Sequence, residues 1–195
     1  IQHLAGITDV PRVKSEASAQ KEEKIRLVAE EGTQNIIDVI SDNCKIIMPS
    51  THVVYEGIKE VKTNIFEDEK TCPVLSYGRS KDFNEKQLKK SRKKYIILRL
   101  GSVYGYSTDT ARIDIMVNFF SKMASQDGTL RLFGGGRQLK SLVPLIDVAR
   151  CFKFMEERDN ISNELFNLTK DTVTVKQVAE ICKKHNQKVQ LKETN

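Results

Sequence analysis

Short apolar runs alternate with longer amphipathic stretches along the first half of the chain. Ile1 to Leu4, Lys45 to Pro49 and Tyr95 to Leu100 are apolar-rich, and each runs out into Gly, Pro or Ser, the signature of buried strands. Between them, Glu22 to Ser41 and Tyr77 to Ser91 repeat at helical spacing, the first through Ile25, Val28, Ala29, Ile36, Val39 and Ile40. Strand and helix in alternation predict βαβ units and a parallel sheet, an α/β fold. Beyond Gly105 the pattern loosens. It predicts a helix over Ile113 to Ala124, an extended Thr129 to Phe133 and a turn at Gly134-Gly135-Gly136. A helix over Asp147 to Glu157, a strand over Glu164 to Leu168, a helix over Thr174 to Lys184 and an extended Lys188 to Leu191 follow. No internal repeat or low-complexity tract interrupts this order.

Composition narrows the class. The 195 residues are 39% hydrophobic and 30% charged, the balance of a soluble globular chain of one domain or two small ones. The net charge of +6 first suggests a polyanion, but the excess is one run: Lys86, Lys89, Lys90, Arg92, Lys93 and Lys94 with no acid among them. Outside it, cations and anions balance, so nucleic acid is not expected as a partner. The longest apolar runs fall far short of the roughly 18 to 20 residues of a membrane span, so no membrane is expected either. Cys44, Cys72, Cys151 and Cys182 show neither Cys-x-x-Cys spacing nor a neighbouring His cluster, which argues against a metal site or a disulfide framework and for a reducing cytoplasm. Two Asn-x-Ser/Thr patterns, at Asn160 and Asn167, carry little weight without a signal peptide. Apolar residues from the first position read as the inside of a strand, so the chain is expected to be a fragment.

The strongest chemical feature is Tyr77-Gly78-Arg79-Ser80-Lys81, whose spacing puts Tyr77 and Lys81 on one helix face. An ammonium beside a phenol stabilises the phenolate and lowers its pKa from about 10, so the tyrosine can exchange protons nearer neutrality. Alone, the spacing also fits an exposed tyrosine over a lysine on a solvated helix. Upstream, however, Ser50 and Thr51 put hydroxyls at the C-terminal end of a strand, where α/β sheets bind ligands. Gly134-Gly135-Gly136 opens no helix and lacks Gly-x-Gly-x-x-Gly spacing, so it reads as a hairpin turn rather than a phosphate loop.

At these residues the chain resembles the extended short-chain dehydrogenase/reductase family, which includes NAD-dependent nucleotide-sugar epimerases and dehydratases. The motifs, in order, are His3-Leu4-Ala5-Gly6, Gly32-Thr33 with Asn35, Ser50-Thr51 with Val54-Tyr55, Tyr77 and Lys81 with Glu85 behind them, Arg99 through Gly105, and Phe133-Gly134 through Asp147-Val148-Ala149. The resemblance implies a Rossmann-like doubly wound parallel sheet whose first strands lie outside the chain. Residues 1–105 would be the C-terminal part of that dinucleotide-binding domain. Residues 106–195 would be mainly a smaller, mixed α/β substrate-binding region, with some segments returning to the first.

By the same resemblance Tyr77 is the acid/base, Lys81 its pKa-lowering partner and ribose ligand, and Thr51 the hydroxyl that bonds the reacting sugar oxygen. Leu4, Ala5, Gly6 and Ser50 would line the cofactor, NAD ahead of NADP. Ser50 can also be read as a strand-end hydroxyl satisfying backbone groups. Ser102, Phe133, Arg137 and Lys140 would meet a nucleotide-sugar substrate. The chain departs from the pattern at Ala29 and Ser102, where asparagines are usual, and at Lys140, which keeps an arginine's charge without its fork. His52 and Val53 stand where 4,6-dehydratases carry an acidic pair, which argues against dehydration; His52 reads either as a second proton donor or as a hydrogen-bonded strand-end residue. No dinucleotide fingerprint or acidic ribose ligand occurs in the 195 residues, and the end at Asn195 comes early for the family. The implied function is UDP-hexose 4-epimerisation through a transient 4-keto sugar, by a protein that allows a homodimer. A reductase of the same family shares these residues, and a non-catalytic scaffold could keep the fold.

Overall fold

The computed structural model describes residues 1–8, 16–108 and 112–194. Among the described residues five α-helices and eight strands occur in the order α1 (Glu16–Val39), β1 (Lys45–Thr51), α2 (Ser76–Lys90), β2 (Lys94–Leu100), β3 (Ser102–Tyr104), α3 (Met116–Ser125), β4 (Thr129–Phe133), β5 (Leu139–Pro144), α4 (Leu145–Glu156), β6 (Glu164–Leu168), β7 (Asp171–Thr174), α5 (Val175–His185) and β8 (Gln190–Thr194). The chain forms two compact units, one of Ile1–Leu100 with Arg150–Asn167, the other of Gly101–Ala149 with Leu168–Asn195.

In the first unit β1, β2 and β6 form one sheet in that order, with β1 and β2 parallel and in register from Lys45 opposite Lys94 to Thr51 opposite Leu100. Ile46, Ile47 and Met48 of β1 and Ile96, Ile97 and Leu98 of β2 are all within 1% of full burial. Such continuous apolar runs mark parallel strands covered on both faces. The N-terminal segment adds a short parallel ladder rather than the full strand its sequence suggests: His3 N–H donates to Ile47 O at 2.9 Å and Ile47 N–H to Ile1 O at 2.8 Å. Helix α2 is the crossover of the β1–α2–β2 unit. One core cluster joins Ile37 of α1, Ile46 and Met48 of β1, Leu88 of α2 and Ile97 of β2. Polar side chains lace α2 to α1, with Asn84 Nδ2 donating to the Ala29 carbonyl at 2.9 Å and Gln87 Nε2 to that of Glu30 at 3.1 Å. The Lys45 ammonium donates to the Met155 and Arg158 carbonyls, both at 2.6 Å, satisfying acceptors at the C-terminal end of α4.

The second unit holds a β3–β5–β7 sheet and a parallel β4–β8 pair. Strand β5 runs parallel to β3 and antiparallel to β7. Phe120 and Ala124 of α3, Leu130 and Leu132 of β4, Leu142 of β5 and Val178 and Ala179 of α5 build its core. Thr174 and Gln177 close a reciprocal capping box at the start of α5, with Gln177 N–H on Thr174 Oγ1 at 3.1 Å and Thr174 N–H on Gln177 Oε1 at 2.7 Å.

Two further expectations change. Gly134-Gly135-Gly136 is not a hairpin turn, because β4 and β5 lie in different sheets and the glycines form a 3₁₀ turn between them. All three have φ between 57° and 69°, and a Cβ on Gly136 would come within 3.0 Å of the Lys176 backbone nitrogen. Glycine is required there by left-handed backbone and close approach together. Strands β3, β5 and β7 are additional to the predicted elements. Strands β3 and β7, of three and four residues, are too short to show a period, and in β5 Lys140-Ser141 breaks any alternation of its apolar residues.

Candidate active site

Strand β1 ends in two buried hydroxyls that serve different partners. Ser50 Oγ donates to Glu85 Oε1 at 2.5 Å, so a side-chain carboxylate, not the backbone, satisfies it. Thr51 Oγ1 accepts the Val53 N–H at 3.2 Å, capping the 3₁₀ turn over His52–Tyr55 that leaves the strand. A hydroxyl that accepts in this way still has its own proton to donate. Thr51 is only 6% exposed.

Tyr77 and Lys81 occupy the first and second turns of α2, as their spacing predicts, with Tyr77 half-buried and Lys81 buried. Gly78 lets this helix start approach the turn after β1: a Cβ there would meet both the Val53 carbonyl and its Cγ1 at 3.2 Å. The Lys81 ammonium donates to the Pro49 carbonyl at 2.8 Å. Burial pushes its pKa down to about 8, against a smaller upward pull from the Glu85 carboxylate. Leu4, Ala5 and Gly6 are exposed, and a Cβ on Gly6 would stand 4.0 Å from Lys81 Nζ, so the end of the N-terminal segment passes beside the ammonium. His3, at the root of that segment, is buried with Nε2 3.0 Å from Thr33 Oγ1. Burial first, and the Lys81 charge second, hold its imidazole below the usual value. His52 Nδ1–H donates to the Leu100 carbonyl at 3.0 Å, the hydrogen-bonded one of its two readings.

Behind Lys81 lies a buried polar chain. Arg99 of β2 grips Glu85 with two bonds, Nε to Oε1 at 2.9 Å and Nη2 to Oε2 at 2.6 Å. Its Nη1 donates to the Tyr55 hydroxyl and to the Glu67 carbonyl, and its guanidinium stacks 4.9 Å from the Tyr55 ring centroid. The sequence placed Glu85 and Arg99 within motifs without giving them this joint task.

The second unit has a cleft of about 850 Å³ built by α3, β4, the start of β5 and Val175. Met116, Phe119, Phe120 and Met123 supply apolar wall, while Asp114, Arg131 and Lys140 bring charge. Of the five residues expected to meet substrate, Phe133 and Lys140 line it, Ser102 and Arg137 do not, and Thr51 belongs to the first unit. Arg131 was not singled out from sequence, although the signal is there. Thr129, Arg131 and Phe133 alternate with the buried Leu130 and Leu132 along β4 and so share its outer face. Among the described residues no cluster of His, Cys, Asp or Glu could hold a metal ion, and no helix is long and apolar enough to cross a membrane.

Known proteins share this architecture. UDP-glucose 4-epimerase from Thermotoga maritima, solved with UDP-glucose, superposes with a TM-score of 0.77 at 24% identity, over 100% of this chain and 64% of its own. UDP-glucuronic acid 4-epimerase from Bacillus cereus, solved with UDP-glucuronic acid and NAD, gives 0.79 at 24% identity over 98% of this chain and 61% of its own. Pal from Bacillus thuringiensis gives 0.81 at 20% identity over 100% and 61%. The chain thus spans somewhat under two thirds of the length of these structures, and at such identities the likeness shows the fold, a Rossmann-like α/β arrangement. No curated protein sequence matches. The family model described as RmlD substrate binding domain matches residues 1–137, which takes in the five motifs from His3 to Gly105 and the start of the sixth at Phe133. The chain therefore belongs to the RmlD substrate binding domain family, within the extended short-chain dehydrogenases/reductases that its motifs resemble.

Proposed function

We propose that the protein of which these residues form part is an NAD-dependent nucleotide-sugar epimerase, with UDP-hexose as substrate and the sugar C4 as the reacting centre. The observation that carries this reading is Lys81: a buried ammonium with a pKa drawn down to about 8, one helical turn from Tyr77 and beside the exposed Gly6 backbone. A desolvated cation at that place favours the phenolate of its neighbour and offers hydrogens to a ribose. NAD fits these residues, because Gly6 leaves open backbone next to Lys81 and the strand-end hydroxyls of β1 lie on the same unit. When bound, NAD supplies hydride acceptance and return. Tyr77 takes the proton of the sugar 4-hydroxyl and later gives it back, Lys81 holds the phenolate in its ionised form, and Thr51 orients the sugar oxygen by donating its hydroxyl proton.

Phe133 and Lys140, with Arg131, are the residues proposed to receive the nucleotide, Lys140 facing the diphosphate. Ser102 and Arg137 are kept as substrate residues on resemblance alone. Relatives of the same fold solved with UDP-glucose or with UDP-glucuronic acid and NAD support the substrate class. Following UDP-glucose by NMR in the presence of the full-length protein and NAD tests the proposal. UDP-galactose should accumulate with no net change in the nicotinamide. Loss of water to a 4-keto-6-deoxy sugar, or net consumption of NADPH, would leave the family and remove the epimerase.

A further inference from the structure

Lys81 has a carboxylate one turn along its own helix and does not take it. The ammonium goes to a backbone carbonyl, that of Pro49, while Glu85 turns to Arg99 and Ser50. Both members of the pair are almost wholly buried, with side chains 4% exposed for Arg99 and 2% for Glu85. Arg99 is itself fixed by Tyr55 and the Glu67 carbonyl. A Glu four residues after a Lys lies within its reach on one helix face, though this order is the weaker of the two. Here a forked guanidinium and a hydroxyl compete.

We propose that Arg99 and Glu85 are positioning residues for Lys81, in which Arg99 and Ser50 together draw the Glu85 carboxylate away from the ammonium. A lysine paired with a buried carboxylate would give its hydrogens and most of its field to that partner. With Glu85 engaged elsewhere, the Lys81 charge is directed toward Tyr77 and the exposed Gly6 backbone. Around Lys81, the N-terminal segment contributes His3; β1 contributes the Pro49 carbonyl; α2 contributes Tyr77 and Glu85; and β2 acts through Arg99 on Glu85. The inference rests on the reading of Lys81 as partner to Tyr77 only for its purpose, since the quantity to be measured is the ionisation of Lys81 itself.

That ionisation can be read from the ¹⁵N resonance of the Lys81 side chain, assigned with Lys81→Arg, in the cofactor-free full-length protein titrated from pH 6 to 11. Glu85→Gln leaves Arg99 as an uncompensated cation and should lower the Lys81 midpoint by about one unit. Arg99→Gln releases Glu85 toward the ammonium and should raise it by a similar amount. A merely structural role would loosen the pocket in both variants, admit water and move both midpoints up toward the ordinary lysine value. Opposite signs support the proposal; shifts of the same sign, or none, overturn it.

Breaking a buried pair from one side is strongly destabilising, so circular dichroism must accompany each titration. If Arg99→Gln does not fold, Glu85→Gln/Arg99→Met replaces charge by neutrality on both sides. It should bring the midpoint back up from its value in Glu85→Gln. A double variant no different from that single one overturns the proposal. If epimerase activity is absent while the midpoints still move in opposite directions, it is the functional reading that has failed and not this one.

Discussion

The Lys81 ammonium donates to the Pro49 carbonyl across 2.8 Å, a bond that ties the second turn of α2 to the end of β1. It brings together two segments 32 residues apart, one supplying Tyr77 and the other Ser50 and Thr51. A backbone carbonyl can accept that proton but cannot neutralise the charge behind it. Lys81 therefore stays a desolvated cation, and its lowered pKa follows from burial more than from any neighbour.

Such a group works against stability. A lysine whose folded pKa is about 8, against an ordinary value near 10.4, disfavours folding by about 3 kcal/mol wherever the unfolded chain is protonated and the penalty is undiminished, below about pH 8. Between about pH 8 and 10.4 the unfolded state binds more protons than the folded one, so this contribution to stability rises with pH. Lys81→Met is expected to raise the urea midpoint at pH 7, less whatever the orphaned Pro49 carbonyl costs, and the advantage over the natural chain should shrink by pH 10. The same variant should lose at least 100-fold in turnover, as should Tyr77→Phe, the usual scale of positioned acid/base catalysis. A Lys81→Met protein that is less stable at pH 7 than at pH 10, relative to the natural one, would contradict the argument.

His3 acts with the same sign in a lower pH window. Burial and the Lys81 charge lower its pKa, so the folded state resists protonation where the unfolded chain accepts it. Stability is retained above the ordinary histidine value and falls as pH drops below it. His3→Gln should therefore lose less stability between pH 7.5 and 5.5 than the natural chain, measured by urea unfolding at each pH. Thr33→Val removes the hydroxyl 3.0 Å from Nε2, and Nδ1 is already buried without a partner among the described residues. A cost of about 1 to 3 kcal/mol at pH 7 is expected. Equal acid sensitivity in His3→Gln and the natural chain would show that His3 is not the titrating group.

Strands β1 and β2 are readable because burial on both faces leaves an unbroken apolar run, and β4 because its buried leucines alternate with outward residues. Strand β1 begins at the predicted Lys45 and β2 one residue before the predicted Tyr95; β4 and β6 match their predicted ranges. Strands β3, β5 and β7 could not be read, since their few residues gain their state from cross-strand partners and not from any local pattern. Tyr77 and Lys81 share a helix because a spacing of four fixes them there, whereas the destination of the Lys81 ammonium depends on a strand 32 residues away. Arg131 is hidden for a different reason: in an alternating five-residue strand the apolar members carry the pattern, and an outward cation adds nothing that marks it from any solvated residue.

The cleft of the second unit separates residues that the resemblance groups together. Lys140 and Phe133 line it and Arg137 does not. Lys140→Gln should weaken UDP binding by about tenfold or more, the scale of a lost charge-assisted hydrogen bond, and Phe133→Ala should weaken it through lost stacking area. Arg137→Gln should leave it within about twofold. Titration calorimetry of the full-length protein with UDP separates these outcomes. A larger effect at Arg137 than at Lys140 would move the diphosphate out of this cleft.

The basic run divides by what its members touch. Lys86 pairs with Asp82 at 2.5 Å, and Lys93, its side chain 14% exposed, donates to the Ile40 carbonyl at 2.6 Å and to Asp42 at 2.5 Å. Lys93 is therefore a structural residue and not part of a solvated helix end. Lys89, Lys90, Arg92 and Lys94 are exposed, and the two in the last turn of α2 face its negative end favourably. No aromatic side chain interleaves with them before Tyr95, so the stacking platform of a single-strand binder is missing from the run. Replacing these four by Gln should shift the thermal midpoint by about 4 °C or less, as exposed charges contribute little. It should leave any weak, salt-sensitive retention of RNA as a loss of nonspecific charge alone. Lys93→Gln on its own should lower the midpoint more than the four together, because it strips a half-buried carbonyl of its donor. Filter binding at two salt concentrations completes the test. Tight RNA binding at physiological salt that the quadruple variant abolishes would make the run a nucleic-acid site.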